Sequence, residues 1–278
     1  MDYIDFEKKG YVILKKIFTE KEIKNLRKTI FTEFNVKKRR AAGEHAIFTS
    51  ELIKNSQVSN LFFSDNLIKR LVKIFGKNFI LYNQMCLLIN SNSPFWHRDS
   101  QSQSETYIFD SSYYVSKVIL YLQKNSLQYG GGLQVRESSH KPIFGLSNLS
   151  KKITINNPRL ERVRNFFLKK QTVDFEIGDI LIMHANLWHR ASPTNFEKYG
   201  QICKFGLKNV PKDSYKLMID WEVSKNNILA RKYANHQISR SKEGGLFADL
   251  KNLGSNLISS KAKSNFAKKN HFQILNIK

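Results

Sequence analysis

The feature that most constrains this chain is its middle. Apolar runs there are short, are punctuated by glycine and polar turns, and carry no regular helical period between them. Phe79–Ile89, Tyr114–Gln123, Leu133–Val135, Thr172–Glu176, Asp179–Ala185 and Gln201–Leu207 read as strands, with Gly178 dividing two of them. A parallel α/β sheet needs a helical crossover between successive strands. Their absence predicts a mainly β core with flanking helices.

Upstream, Gly10–Leu14 reads as a short strand. Thr19 reads as an N-cap with Glu22 as its capping-box partner, and Ile23, Leu26, Ile30 and Phe34 give an amphipathic helix over 20–34. Residues 37–48 read as a loop. A second helical stretch over 50–75 carries Leu67, Leu71 and Phe75 and is stopped by Gly76. Residues 136–170 read as a long, irregular, basic insertion, a lid over the β scaffold. Residues 211–243 read as polar and partly helical, and Phe266, Phe272, Ile274 and Ile277 offer packing near the end. The expectation is a single domain over 1–278, with a core of about 6–207 and a helical, basic extension over about 211–278.

Charge bears on the partner. The chain holds 46 Lys plus Arg against 23 Asp plus Glu, a formal net charge of +23. That balance fits a nucleic acid, an anionic surface or an acidic small substrate. The cations are scattered, and the densest short run is Lys37-Lys38-Arg39-Arg40. No zinc-finger spacing, leucine heptad or RNA-binding sheet motif accompanies them, so a solvated basic face is favoured over nucleic acid. Cys86 and Cys203 match no metal set and read as reduced core thiols. No apolar run reaches membrane-spanning length, and Met1-Asp2-Tyr3-Ile4-Asp5 opens no signal peptide, so a cytoplasmic location is expected. Gly130-Gly131-Gly132 lacks the Gly-Lys-Ser/Thr of a phosphate loop. His97-Arg98-Asp99 imitates a kinase triplet, but Ser104 stands where asparagine is needed.

Within Trp96-His97-Arg98-Asp99, His97 and Asp99 are two residues apart, so from a strand edge they point the same way around a shared ion. A third ligand is needed. His189, just after the strand 179–185, is preferred to its competitor His184 because it lies at the strand end. Two histidines and one aspartate leave open positions on a non-haem iron, as O2 activation requires.

Phe95-Trp96-His97-Arg98-Asp99 resembles the Trp-His-x-Asp motif of the phytanoyl-CoA dioxygenase-like family of Fe(II)/2-oxoglutarate-dependent oxygenases. Further segments resemble that family in order: Gly10–Leu14 with its capped helix, Lys117–Gln123, Gly131–Lys141 with its Ser139-His140 turn, and Gly178–Ile182 leading to Leu187-Trp188-His189-Arg190. The likeness spans roughly residues 6–207. It implies a double-stranded β-helix, or jelly roll of cupin-like form, with His97, Asp99 and His189 on Fe(II). It also implies 2-oxoglutarate as cosubstrate, oxidised by O2 to succinate and CO2 while a C–H bond is hydroxylated.

The family places an arginine about 11 residues after the distal histidine to hold the far carboxylate of 2-oxoglutarate. Here that count reaches Gly200 or Gln201. Lys204, Arg190 and Lys117 are the substitutes, and Lys117 points inward with Ile119 and Tyr121 under strict alternation. Gln84 and Asn90 share a strand face and are expected to hydrogen-bond the cosubstrate or substrate. Trp96 and Trp188 are expected to wall the site, and Arg98 to project away from it. Asp99 disfavours halogenation, since halogenating relatives replace that carboxylate with a small residue. The function expected is hydroxylation of an unactivated C–H bond in a small metabolite, anionic in view of the basic composition. The alternative is a non-catalytic member that binds an anion or nucleic acid through its basic surface.

Overall fold

A computed structural model describes residues 2–41, 46–48, 52, 55–89, 95–102, 105–124, 133–145, 147–191, 215–241 and 272–275. The chain opens with helix α1 (Asp2–Lys9) and strand β1 (Tyr11–Leu14). Helix α2 (Glu20–Glu33) starts where the sequence places it. Thr19 caps the Glu22 amide and the Glu22 carboxylate accepts from the Thr19 amide, while Ile23, Leu26, Ile30 and Phe31 are buried on one stripe.

Helix α3 (Val36–Ala41) and strand β2 (Ala46–Phe48) occupy much of the stretch expected to be loop. The expected helix over 50–75 divides into α4 (Ser56–Phe62) and α5 (Asp65–Phe75). Ser64 between them is extended, so the apolar period restarts at Leu67 rather than running through.

The remaining strands are β3 (Phe79–Ile89), β4 (Ser116–Tyr121), β5 (Leu133–Arg136), β6 (Lys170–Val173), β7 (Ile180–His184), β8 (His189–Ala191), β9 (Leu217–Ser224) and β10 (Phe272–Leu275). Among the described residues they form two sheets. The larger runs β1-β7-β4-β9-β3-β10, with β2 also on β3, and the smaller runs β6-β5-β8. All pairings are antiparallel except β10 on β3.

Alternation along the strands makes a sandwich. From β4 and β9, Val118, Leu120, Leu217, Ile219, Trp221 and Val223 pack outward against the N-terminal helices. Ile119, Tyr121, Leu181 and Met183 face inward and meet Leu133, Val135, Val173 and Phe175 around the smaller sheet. Each such fully buried aliphatic or aromatic side chain contributes on the order of 1.5–3 kcal/mol.

The corner before β7 depends on Gly178. Its φ is +89°, and a Cβ there would fall 2.0 Å from the Phe18 carbonyl oxygen. Asp179 then accepts from the Lys16 and Glu176 amides and from Lys15, which ties β7 to the turn after β1.

Two sequence expectations are corrected. The insertion 136–170 is not irregular: it contains α6 (Asn148–Asn156), capped by Ser147, and α7 (Pro158–Phe167), with proline at its first position. The stretch 211–243 does include a helix, α8 (Ile228–Ser241), but β9 precedes it and lies between β4 and β3. The core therefore continues past residue 207. The expected strand 201–207 lies outside the described residues.

Candidate metal centre

The segment carrying His97 extends the smaller sheet. His97 and His189 exchange backbone hydrogen bonds of 3.0 and 2.9 Å as an antiparallel bridge. The bridge sets their imidazoles side by side, with ring centroids 4.3 Å apart. Asp99 opens a short 3-10 turn (Asp99–Ser102), which brings its carboxylate under the two rings. One ligand atom from each of His97, Asp99 and His189 lies within 4.8 Å of the others. Those three donors would hold one divalent cation between them.

The surroundings fit a cation. The Nδ1 of His97 bonds the Phe95 carbonyl and that of His189 bonds the Leu187 carbonyl, both at 2.9 Å. A carbonyl accepts, so each Nδ1 carries the proton and each Nε2 carries the lone pair. Asp99 Oδ2 is buried and accepts no hydrogen bond from the described residues, an arrangement that a bound cation would relieve. Burial pushes His189 down to about 4, which outweighs the pull of Asp99 and keeps the ring neutral, as a ligand must be. Burial acts to raise Asp99, but Lys117, His189 and His97 overcome it and hold the carboxyl below its usual value.

Lys117 enters from β4. Its Nζ stands 2.9 Å from Asp220 Oδ2 and 3.7 Å from Asp99 Oδ1. Burial alone would lower this amine, yet Asp220 and Asp99 hold it well above the ordinary lysine value. Behind it, opposite Lys117 in the strand register, lies Glu222. Burial raises Glu222 to about 7, and Tyr233 of α8 donates to its carboxylate at 2.8 and 2.9 Å.

A cavity of about 120 Å³ opens beside the triad, lined by Lys117, Tyr121, Met183, Lys216, Met218 and Asp220 among others. Lys216, one residue before β9, is 6% exposed, and its amine lies over the Tyr121 ring at 5.4 Å from the centroid. Burial pushes its pKa down to about 8. Sequence reasoning missed this residue.

The structure brings His97, Asp99, His189 and Lys117 close to one another, and it places Arg190 elsewhere. Arg190 follows His189 on the strand, so it faces the opposite side of the sheet. There its Nε donates to Gln134 at 2.9 Å and its guanidinium covers Trp96 at 4.8 Å. Lys204 and Asn90 lie outside the described residues, as does the side chain of Gln84, although its backbone is part of β3.

Of the remaining histidines, His184 is a buried structural residue. Its Nε2 donates to the Tyr113 carbonyl and its Nδ1 accepts from the Asn186 amide. His140 packs against it at 5.1 Å rather than against the triad. Arg98 turns away from the cavity, as expected, and pairs with buried Glu161 of α7. Trp188 donates to the same carboxylate, so the insertion is anchored behind the ligand-bearing segments.

Two sheets stacked as a jelly roll, with a His-x-Asp turn and a distal histidine meeting at one open end, define a double-stranded β-helix of the cupin-like kind. No sequence-family model matches the chain, and no curated protein matches it. Solved structures do share the fold. AviO1 from Streptomyces viridochromogenes Tue57 matches with a TM-score of 0.54 at 12% identity over 81% of this chain and 94% of that one. EctD from S. alaskensis with bound Fe matches at 0.54 and 15% identity, over 80% and 75%. The epimerase SnoN in complex with Fe3+, alpha ketoglutarate and nogalamycin RO matches at 0.51 and 13% identity, over 81% and 82%. Among the described residues no helix is long and apolar enough to cross a membrane.

Proposed function

We propose that the chain is an Fe(II)- and 2-oxoglutarate-dependent oxygenase of the phytanoyl-CoA dioxygenase-like kind, which hydroxylates an unactivated C–H bond of a small metabolite. The observation that carries this reading is the convergence of His97, Asp99 and His189 with both imidazoles held through Nδ1. Solved structures on the same fold, EctD with bound Fe and the epimerase SnoN with Fe3+ and alpha ketoglutarate, support its iron and cosubstrate part. Bound at the triad, Fe(II) supplies O2 activation coupled to the oxidative decarboxylation of 2-oxoglutarate to succinate and CO2.

The protein's part is positioning and charge. His97 and His189 offer Nε2 and Asp99 offers its carboxylate, leaving open positions for the cosubstrate. Lys117 keeps Asp99 ionised and balances Asp220, so the ligand enters a site whose charges are already paired. Lys216, whose amine lies over the Tyr121 ring in the same cavity, is the residue assigned to the far carboxylate of the 2-oxo acid. Burial lowers its pKa only to about 8, so the amine is still protonated at neutral pH, and an entering carboxylate favours that charged form. Ile119, Leu133, Met183 and Met218 surround that end with apolar surface and restrict water.

The test is succinate formation from 2-oxoglutarate by the full chain with Fe(II) and O2. The proposal expects slow turnover without the primary substrate, abolished by chelation and by Asp99→Ala. Succinate formation unchanged in Asp99→Ala, or none in the wild type under any iron loading, contradicts it.

A further inference from the structure

The ligand-bearing segments have a second face. Trp96 and Arg190 alternate with His97 and His189, and Arg136 follows inward-facing Val135, so these three side chains emerge on the outer side of the smaller sheet. Together with α7 they line a groove of about 600 Å³, within the range of small-molecule sites.

The groove is built of cations and aromatic rings. The guanidiniums of Arg136 and Arg190 each lie 4.8 Å from the centroid of the Trp96 ring. Arg136 is fixed by hydrogen bonds to the Phe166 and Leu168 carbonyls, and Arg190 by its bond to Gln134. Arg162 and Lys170 complete the lining, which includes no carboxylate among the described residues. The nearby acid, Glu161, is already engaged by Arg98 and Trp188. Phe95 and Phe166 stand on the rim at 79% and 71% exposed, large apolar surfaces left in water.

We propose that this groove binds a small organic phosphate, with the phosphate among Arg136, Arg190 and Arg162 and the apolar part of the molecule on Phe95 and Phe166. Four cations line the groove with no acid among its described lining residues, and Glu161, which also feels Arg162, is held by Arg98 and Trp188, so a multiply charged anion balances the lining better than a single carboxylate. Guanidiniums already oriented by carbonyl and amide partners offer their remaining N–H groups in fixed directions, which suits phosphate oxygens. A volume of about 600 Å³ is that of a small-molecule site. The site lies on the reverse of the sheet from the triad, so it does not rest on the oxygenase reading.

The experiment is calorimetric titration of the full-length, metal-free chain with three probes at low salt: phenyl phosphate, inorganic phosphate and benzyl alcohol. One phenyl phosphate per chain is expected, bound about threefold or more tightly than inorganic phosphate, with no binding of benzyl alcohol. Arg136→Gln and Arg162→Gln should each weaken both phosphates by about tenfold, while Phe166→Ser should remove only the preference for the phenyl group. Arg162 and Phe166 are exposed, so those variants keep the fold, and circular dichroism verifies it. Affinity unchanged in both arginine variants overturns the proposal. So does a single-stranded oligonucleotide of about 20 bases that binds about a hundredfold more tightly than phenyl phosphate and is weakened by the same substitutions.

Discussion

The two faces of the smaller sheet handle charge in opposite ways. On the inner side, where the larger sheet faces it, Lys117 of β4 is bracketed by Asp99 and by Asp220 of β9, and the buried Glu222 of β9 is pushed toward its neutral form. On the outer face Arg136, Arg190, Arg162 and Lys170 line one groove without an acid among its described lining residues. Neighbouring residues of the same strand serve both: His189 faces in and Arg190 faces out. The contrast teaches that the net charge of the chain says little about its centre. Positive charge is concentrated where water can solvate it or an anion can meet it, and the buried interior is balanced almost group by group.

Four experiments press on that contrast, from the largest expected effect to the smallest. Asp99→Ala removes the carboxylate ligand and leaves Lys117 paired only with Asp220. Succinate formation should fall by about a thousandfold or more, and the matching change on the other face, Arg190→Gln, should leave most of it.

Lys117→Met strands two largely buried carboxylates, and denaturant unfolding should show a loss of about 3–5 kcal/mol. Arg162→Met, on the exposed rim of the groove, should cost less than about 0.5 kcal/mol. Equal losses would erase the distinction between the faces.

Glu222 gives the pH test. Its pKa is raised from 4.5 to about 7 in the folded chain, so the native state holds a proton that the unfolded chain has released. Stability should therefore fall as pH rises through that window, by about 3 kcal/mol in total, and Glu222→Gln should flatten the slope between pH 5 and 8. Thermal unfolding across that range measures it.

The smallest effect is on the cosubstrate. Lys216→Met should raise the KM for 2-oxoglutarate about tenfold with kcat little changed, a loss of about 1.4 kcal/mol of ground-state binding. In the wild type the same KM should climb above pH 8 as the amine loses its proton, and in the variant it should not.

How much of this was legible in the sequence follows from which signals are local. His97 and Asp99 announce themselves because a spacing of two on an extended edge has one geometric meaning, and His189 follows from its place beside a strand. The capping box at Thr19 is equally local and is found intact. Lys216 was hidden by a long-range quantity. A count of about 11 residues from His189 stops well short of Lys216, which the fold nonetheless brings to the cavity beside the triad.

The strand itself was obscured for a physical reason. Leu217-Met218-Ile219-Asp220-Trp221-Glu222-Val223 alternates correctly, but its polar face carries Asp220 and Glu222, which look solvated in sequence and are buried in the fold. Arg190 was misplaced although alternation alone sends it away from its neighbour His189. Helices α6 and α7 escaped notice because their exposed faces carry Leu149, Val163, Phe166 and Phe167, which blurs the apolar stripe that marks an ordinary surface helix.

The central claim is that His97, Asp99 and His189 make one divalent-cation site. Anaerobic equilibrium dialysis of the full chain against Fe(II) tests it most directly. One Fe(II) per chain is predicted, with affinity lowered about a hundredfold or more in each of His97→Ala, Asp99→Ala and His189→Ala. Binding of the same strength in the wild type and all three variants would contradict it.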